Sequence, residues 1–349
     1  MLDERKLKVL LAVIDSYIVT GEPIGSRTIT KFYDLGVSSA TIRNEMSDLE
    51  DLGYLNKTHT SSGRIPSDKA YRFYVDNFFK NSIIEIDKSR KEQIKRYIKQ
   101  EYKEIDQLIE DLAKILAQLT KYTAVALSPQ IKETKIKHIQ LLPMEQNQIL
   151  AIMVNEAGLI KKSIINLENK ISEDNLIYIS NYLTKKLKNK TFSELANDIS
   201  NGILDDYFEY KNDLKRLIPI LSGFVEDVED MKVYADGITN ILGFPEYRDI
   251  DKAKEVLSVL ENEDKLIFAL TNNKLEEIDV KIGEENSDDC MKDLSIITAT
   301  YNTEGEIIGK IGIIGPKRMN YIELIKTIWV FSESITDILN DYFNCNERW

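Results

Sequence analysis

The sequence predicts an α+β multidomain chain that opens on a winged helix-turn-helix. Three observations predict it. Between residues 23 and 53 a short helix, a three-residue turn containing glycine and a second helix succeed one another, and a short strand, a polar turn and another strand follow at once. Downstream, two groups of strand patterns (135–167 and 265–316) are separated by a helical run over 171–227. Two long helices with apolar residues at alternating spacings of four and three flank these elements.

The stretch LDERKLKVLLAVIDSYIVTG (2–21) reads as the first helix, with Leu7, Leu10, Leu11, Ile14 and Ile18 on one face and Gly21 as its stop. PIGSRTITKFYD (23–34) holds a short second helix with Ser26 as its N-cap. LGV (35–37) is a tight turn in which Gly36 is free to take positive φ. Ser38 or Ser39 then caps SATIRNEMSDLEDLGYL, which ends near Gly53. At about 100° per residue, Ile42, Met46, Leu49 and Leu52 share the side that must pack inward. The opposite side of the first two turns presents Ala40, Arg43, Asn44 and Ser47. Arg reads guanine and Asn reads adenine at major-groove edges, and the N-terminal half of a recognition helix is the part that reaches them. Ser38, Ser39, Ala40, Thr41, Arg43, Asn44 and Ser47 are therefore the candidate DNA-reading residues.

Charge points to the same place. The 349 residues carry a net charge of −12, which looks wrong for a nucleic-acid binder. Residues 1–80, however, balance eleven Lys+Arg against eleven Asp+Glu, so the acidity belongs to the rest of the chain. Within 56–72, Lys57, Arg64, Lys69 and Arg72 face Asp68 alone. This basic stretch contains HTSSGRIPS (59–67), flanked by Tyr54–Thr58 and Arg64–Pro66 as paired strands, with Thr60, Ser61, Ser62 and Gly63 as the turn. Pro66 suits the end of an edge strand and Ser67 caps the helix that follows. The wing so formed reaches phosphates or the minor groove through Lys57, His59, Thr60, Ser62 and Arg64, with Gly63 at the turn and Arg27, Lys69 and Arg72 as basic flanks.

Farther on, KIKHIQLLP, QILAIMVNEAG and LIKKSIINL read as three strands, with Asn155–Gly158 the clearest hairpin. TAVALSP (123–129), KLIFALT, EIDVKIGEEN and LSIITATYNTEGEIIGKIGIIGP read as further strands, with a turn at Thr303–Gly305. One long helix carries Ile98, Tyr102, Ile105, Ile109, Leu112, Leu116 and Leu119; the other carries Tyr321, Ile325, Ile328, Ser332, Ile335, Leu339 and Tyr342. Each is a narrow seam, and the expectation is that the two pack on each other beside a sheet, which makes the middle of the chain an insertion.

GEPIGSRTI, LGVSSATIRNEMSDLEDLGYL and HTSSGRIPSDKAYRFYVD resemble the N-terminal signature of the HrcA heat-inducible transcription repressors, densely over residues 20–76. VYADGITNILGFPEYRDIDKA (233–253) and residues 282–321 resemble the family's later segments. The resemblance implies a winged-helix domain (1–84), a GAF-like α/β domain (85–130 and 232–349) and an inserted α+β dimerisation domain (131–231). It also implies a homodimer on an inverted-repeat double-stranded operator, called CIRCE in this family, upstream of chaperone genes. Repression is then supported by the GroEL chaperonin and lost under heat stress. A small-ligand-sensing regulator built on the GAF-like domain is the rival reading.

Other chemistry is not expected. No run of about 18 apolar residues suggests a membrane span. The N-terminus lacks signal-peptide features, and two Cys (Cys290, Cys345) make no disulfide framework, so a cytoplasmic protein without a structural zinc is expected. Gly305-x-x-x-Gly309-Lys310 is one spacer short of a phosphate loop and has Ile311 where Ser or Thr should stand; its glycines, with Gly312 and Gly315, suit close packing. Glu284, Glu285, Asp288 and Asp289 read as a solvated acidic loop. His138 has no partner ligand nearby, and no nucleophile–base pair can be assembled. No enzyme, cofactor or metal is expected.

Overall fold

The computed structural model describes residues 2–57, 63–81, 91–92, 94, 105–128, 135–156, 160–167, 170–200, 232–271, 277–303 and 306–346. Helices and sheets are mixed throughout. The chain falls into two units, one of Met1–Leu127, Val233–Thr300 and Lys310–Ser334, the other of Ser128–Lys232, Tyr301–Gly309 and Ile335–Trp349.

The first unit begins with α1 (Glu4–Thr20), α2 (Ser26–Phe32) and α3 (Ser39–Asp51). Asp3 caps α1 by accepting the Lys6 amide, and Gly21 ends it at φ 66°, its N–H donated to the Tyr17 carbonyl. Val9, Leu10, Val13 and Ile14 of α1 meet Ile29, Ile42, Met46 and Leu49 in a closed core. Two expectations need correction here. Gly25, not Ser26, is the N-cap of α2, and the Ser26 hydroxyl instead pairs with that of Ser39 at 3.0 Å. Leu52 is 47% exposed, because α3 ends one residue earlier and Leu52 leaves the helical face.

Strands β1 (Leu55–Lys57) and β2 (Arg64–Pro66) pair antiparallel, Leu55 opposite Pro66. Ile24 adds a third rung, exchanging both backbone hydrogen bonds with Arg64 at 2.9 Å. Ser67 then accepts the Ala70 amide and donates to the Gly53 carbonyl, starting α4 (Asp68–Asn81).

After α5 (Ile105–Thr120) comes a five-stranded sheet in the order β7 (Val233–Asp236), β3 (Thr123–Leu127), β10 (Glu306–Pro316), β9 (Leu294–Thr303), β8 (Ile278–Ile282). The expected seam on α5 is wider than read: Leu108, Ile109, Leu112, Ala113, Leu116 and Ala117 are buried while Leu119 is 56% exposed. Such a broad stripe suits a sheet, and α5 packs on β3 and β7. Ile98 and Tyr102 lie outside the described residues. KLIFALT is not a strand but part of α9 (Glu263–Thr271), which follows α8 (Ile250–Leu260). The Asn262 side chain accepts the Lys265 amide at 2.9 Å, and Leu266, Ala269 and Leu270 are buried at helical spacing. An apolar run of seven fits either element, and the cap decides it. Strand β7 was not expected; four residues carry too little pattern. The last helix is α10 (Tyr321–Asn346), in which Tyr321, Ile325, Ile328, Ser332, Ile335 and Leu339 are all buried, joined by Phe331 and Ser334.

The second unit centres on an antiparallel sheet of β4 (Ile136–Pro143), β5 (Gln148–Asn155) and β6 (Ile160–Asn166), with α6 (Glu173–Leu187) packed on β4 and α7 (Phe192–Ser200) after it. Residues 157–159 of the expected hairpin, and 201–231, lie outside the described residues. One sheet face is closed by Ile139, Leu141, Ile149, Ala151 and Met153 against Leu176, Ile179 and Leu183. The free edge of β4 is closed too. Ser180 accepts the Leu141 amide at 2.9 Å, and Thr184 both accepts from and donates to the Ile139 backbone at 3.0 Å.

Candidate nucleic-acid interface

The candidate interface is built around α3. Ser38 caps it, accepting the Thr41 amide at 3.2 Å, with the Thr41 hydroxyl 3.0 Å away. Gly36 makes the preceding turn at φ 67° with open space around it. Ile42, Met46 and Leu49 fix one face of the helix in the core, so the period of 3.6 residues turns Ala40, Arg43, Asn44 and Ser47 to solvent. Among the described residues nothing hydrogen-bonds or ion-pairs with Arg43 or Asn44, and Arg27 on α2 is exposed as well.

Three of the four acidic side chains of α3, Glu45, Asp48 and Glu50, are paired within the module. Lys6 holds Glu45 at 3.0 Å and Asp48 at 3.1 Å, tying α1 to α3. Glu50 takes both hairpin cations, Lys57 at 3.2 Å and Arg64 at 2.7 Å. Burial works against the charged form of Glu50, but the hydrogen bonds from Lys57 and Arg64 outweigh it and hold the carboxyl below its ordinary range. Lys57 stays exposed; Arg64, expected as a free phosphate contact, lies against Glu50 with 15% of its side chain exposed.

Three further basic-stretch expectations change. Gly63 has no positive φ; a Cβ there would press on Pro23 at 2.8–2.9 Å, so glycine is needed for close approach between the hairpin and the Ile24 rung. Lys69 donates to the Leu52 carbonyl at 2.8 Å and lies 4.5 Å over the Tyr54 ring, so it caps the end of α3. Arg72 donates to the Glu285 carboxylate and the Val280 carbonyl. His59, Thr60 and Ser62 lie outside the described residues.

Arg72 belongs to a clasp that sequence spacing could not show, because its partners are about 200 residues away. Lys317 pairs with Asp68 at 3.0 Å, and the Glu284 amide reaches Asp68 at 3.3 Å. Arg318 donates to the Ile18 carbonyl at 3.1 Å and binds the Glu246 carboxylate. Gly283, at φ 55°, leaves no room for a Cβ beside Asp68. The expected acidic loop is thus partly structural, with Glu285 on Arg72 and Asp288 on Lys265 at 3.2 Å. Replacing Arg72 with Met is expected to lower stability by about 1–2 kcal/mol, the discounted cost of stranding a half-exposed Glu285. Urea denaturation of the Arg72→Met and Arg72→Met/Glu285→Gln variants checks this, the second substitution restoring part of the loss.

Gly309 and Gly315 lie against Tyr301 and Tyr122 with no space for a Cβ, and Gly312 is tightly enclosed by Val125, Leu270 and Thr298. His138 is exposed, 3.2 Å from Gln140. Among the described residues no metal-holding cluster occurs and no helix is long and apolar enough to cross a membrane.

Comparison with known proteins gives the class first. The chain is 40% identical to a protein of Thermoanaerobacter sp. (strain X514) over 98% of each, and 43% identical to one of Ruminiclostridium cellulolyticum over 94% of each; both are heat-inducible transcription repressors. A Clostridium tetani relative is 40% identical over 97% of this chain and 96% of its own. The protein is a transcription repressor, not an enzyme. Residues 106–325 match the family model described as HrcA protein C terminal domain, and the chain belongs to the HrcA family. A solved hypothetical protein, 23% identical, shares the fold with a TM-score of 0.61 over 99% of both chains.

Proposed function

We propose that the chain represses by occupying an inverted-repeat operator as a homodimer, each protomer placing α3 of a winged helix-turn-helix in the major groove of one half-site. The observation that carries this is the polar face of α3: Ala40, Arg43, Asn44 and Ser47, exposed on the first two turns of a helix whose other face is buried. Arg43 has the donors for guanine and Asn44 the donor–acceptor pair for adenine, while Ser38, Ser39 and Thr41 sit at the helix start, where backbone N–H groups favour a phosphate. The hairpin is the wing, and Lys57 is its phosphate contact; Arg27 is a second. Arg64 joins only by exchanging Glu50 for phosphate.

Self-association is supported by the second unit, the inserted domain of this reading. The outer face of its sheet carries Leu142, Leu150 and Ile164 in one cross-strand row, with Ile152 and Val154 beside it. Leu142 is 39% and Ile164 58% exposed, and the β4 edge is sealed, so a face-to-face pairing of two copies is the arrangement that buries the apolar residues. The five-stranded sheet with its helices is the GAF-like core. Dependence on the GroEL chaperonin, CIRCE as the operator, and release under heat rest on the family resemblance alone.

Gel-shift titrations across salt test the DNA reading. Lys57→Ala is expected to weaken repeat and scrambled duplexes alike and to reduce the salt slope by about 1. An unchanged slope would remove the hairpin from the interface.

A further inference from the structure

Glu50 stands where α3 itself gains nothing from it. It lies in the last turn, at the negative end of the helix dipole, where a carboxylate is unfavourable and where α3 carries no basic residue to balance it. Nor does the hairpin need Glu50 to stay in place. Leu55 and Pro66 are buried, Arg64 exchanges both backbone hydrogen bonds with Ile24 at 2.9 Å, and Gly63 lies against Pro23. What Glu50 does is take charge off the hairpin. Its Oε2 accepts from Arg64 Nε at 2.7 Å and its Oε1 lies 3.2 Å from Lys57 Nζ, while Arg64 Nη1 turns to the Gly63 carbonyl at 3.4 Å. The two cations differ in how firmly they are held. Lys57 is exposed, so water screens its pair and a phosphate displaces the carboxylate at little cost. Arg64 is mostly withdrawn from water, and a charge-assisted hydrogen bond there is shorter and stronger. The hairpin thus presents one available cation where its sequence has two.

We propose that Glu50 is the residue that limits the affinity of this interface for DNA, holding Arg64 off the phosphate backbone so that binding depends on the α3 base contacts rather than on hairpin charge. Glu50 acts on the interface proposed above, and its role rests on that reading.

Gel-shift titrations of the full chain, on the inverted repeat and on a scrambled duplex, test this role. Glu50→Gln keeps the shape and an acceptor for Arg64 but removes the charge. Both duplexes are expected to bind it more tightly than they bind the wild type at low salt. Its affinity should then fall about threefold more than the wild type's between about 50 and about 200 mM salt, the slope of one added phosphate contact. Asp51→Asn removes the same charge from the neighbouring residue, which pairs with no cation among the described residues, and should leave the slope unchanged. Arg64→Gln should leave it unchanged while Glu50 is present, and should cancel the added slope in Glu50→Gln/Arg64→Gln. A wild-type slope in Glu50→Gln, whatever its Tm, makes the pair merely structural and overturns the proposal. So does a slope shallower by about 1 in Arg64→Gln alone, which means that Arg64 already touches phosphate; this variant decides the matter if Glu50→Gln does not fold. Failure of the operator reading shows separately, as equal binding of both duplexes by the wild type, and a wild type that binds neither overturns both.

Discussion

A protein carrying Leu142→Lys and Ile164→Lys is expected to run as a monomer and to bind the operator repeat about 10²–10⁴-fold more weakly, as a single half-site binder without its tethered partner. The two positions flank Leu150 in one row across β4, β5 and β6. Both side chains are substantially exposed, so their replacement costs the isolated fold little, within about 0.5 kcal/mol. Across a two-fold interface, however, each lysine would meet apolar surface or another lysine and would be desolvated without a partner, at several kcal/mol. Light scattering after size exclusion measures the mass, and urea denaturation at low protein concentration confirms that the unit itself is intact. A variant that remains dimeric would place the interface elsewhere.

The double variant Arg43→Ala/Asn44→Ala is expected to lose about 1–3 kcal/mol per position on operator DNA, and almost nothing on scrambled DNA. Each loss should be confined to one base pair: substituting that base in the operator should cost the wild type what it no longer costs the variant. Stability should be unchanged within about 0.5 kcal/mol, because neither side chain is engaged within the protein. The comparison with Lys57→Ala is informative, since a phosphate contact weakens all sequences together while a base contact does not.

The N-terminal elements were legible because their signals are local. Ser38 and Ser67 are caps within a few residues of the amides they bind, Gly21 and Gly36 take the left-handed backbone that only glycine adopts freely, and Ile42, Met46 and Leu49 repeat at helical spacing. The polar face of α3 follows from that same period. What was misread was decided at long range. Arg72 and Arg64 are basic residues in a basic stretch, and nothing in the stretch reveals that Glu285 and Glu50 hold them. Gly63 reads as a turn residue, but it is Pro23, 40 positions earlier, that requires glycine there. KLIFALT shows the other limit: seven apolar-rich residues fit a strand or a buried helix, and only the Asn262 cap separates the two.

Operator specificity is the central claim, and the ratio of affinities for an intact inverted repeat and a scrambled duplex of equal length, at one salt concentration near physiological, tests it most directly. The account predicts a ratio of about 10³ or more for the wild type, collapsing toward one in Arg43→Ala/Asn44→Ala. Equal binding of the wild type to both duplexes would contradict it.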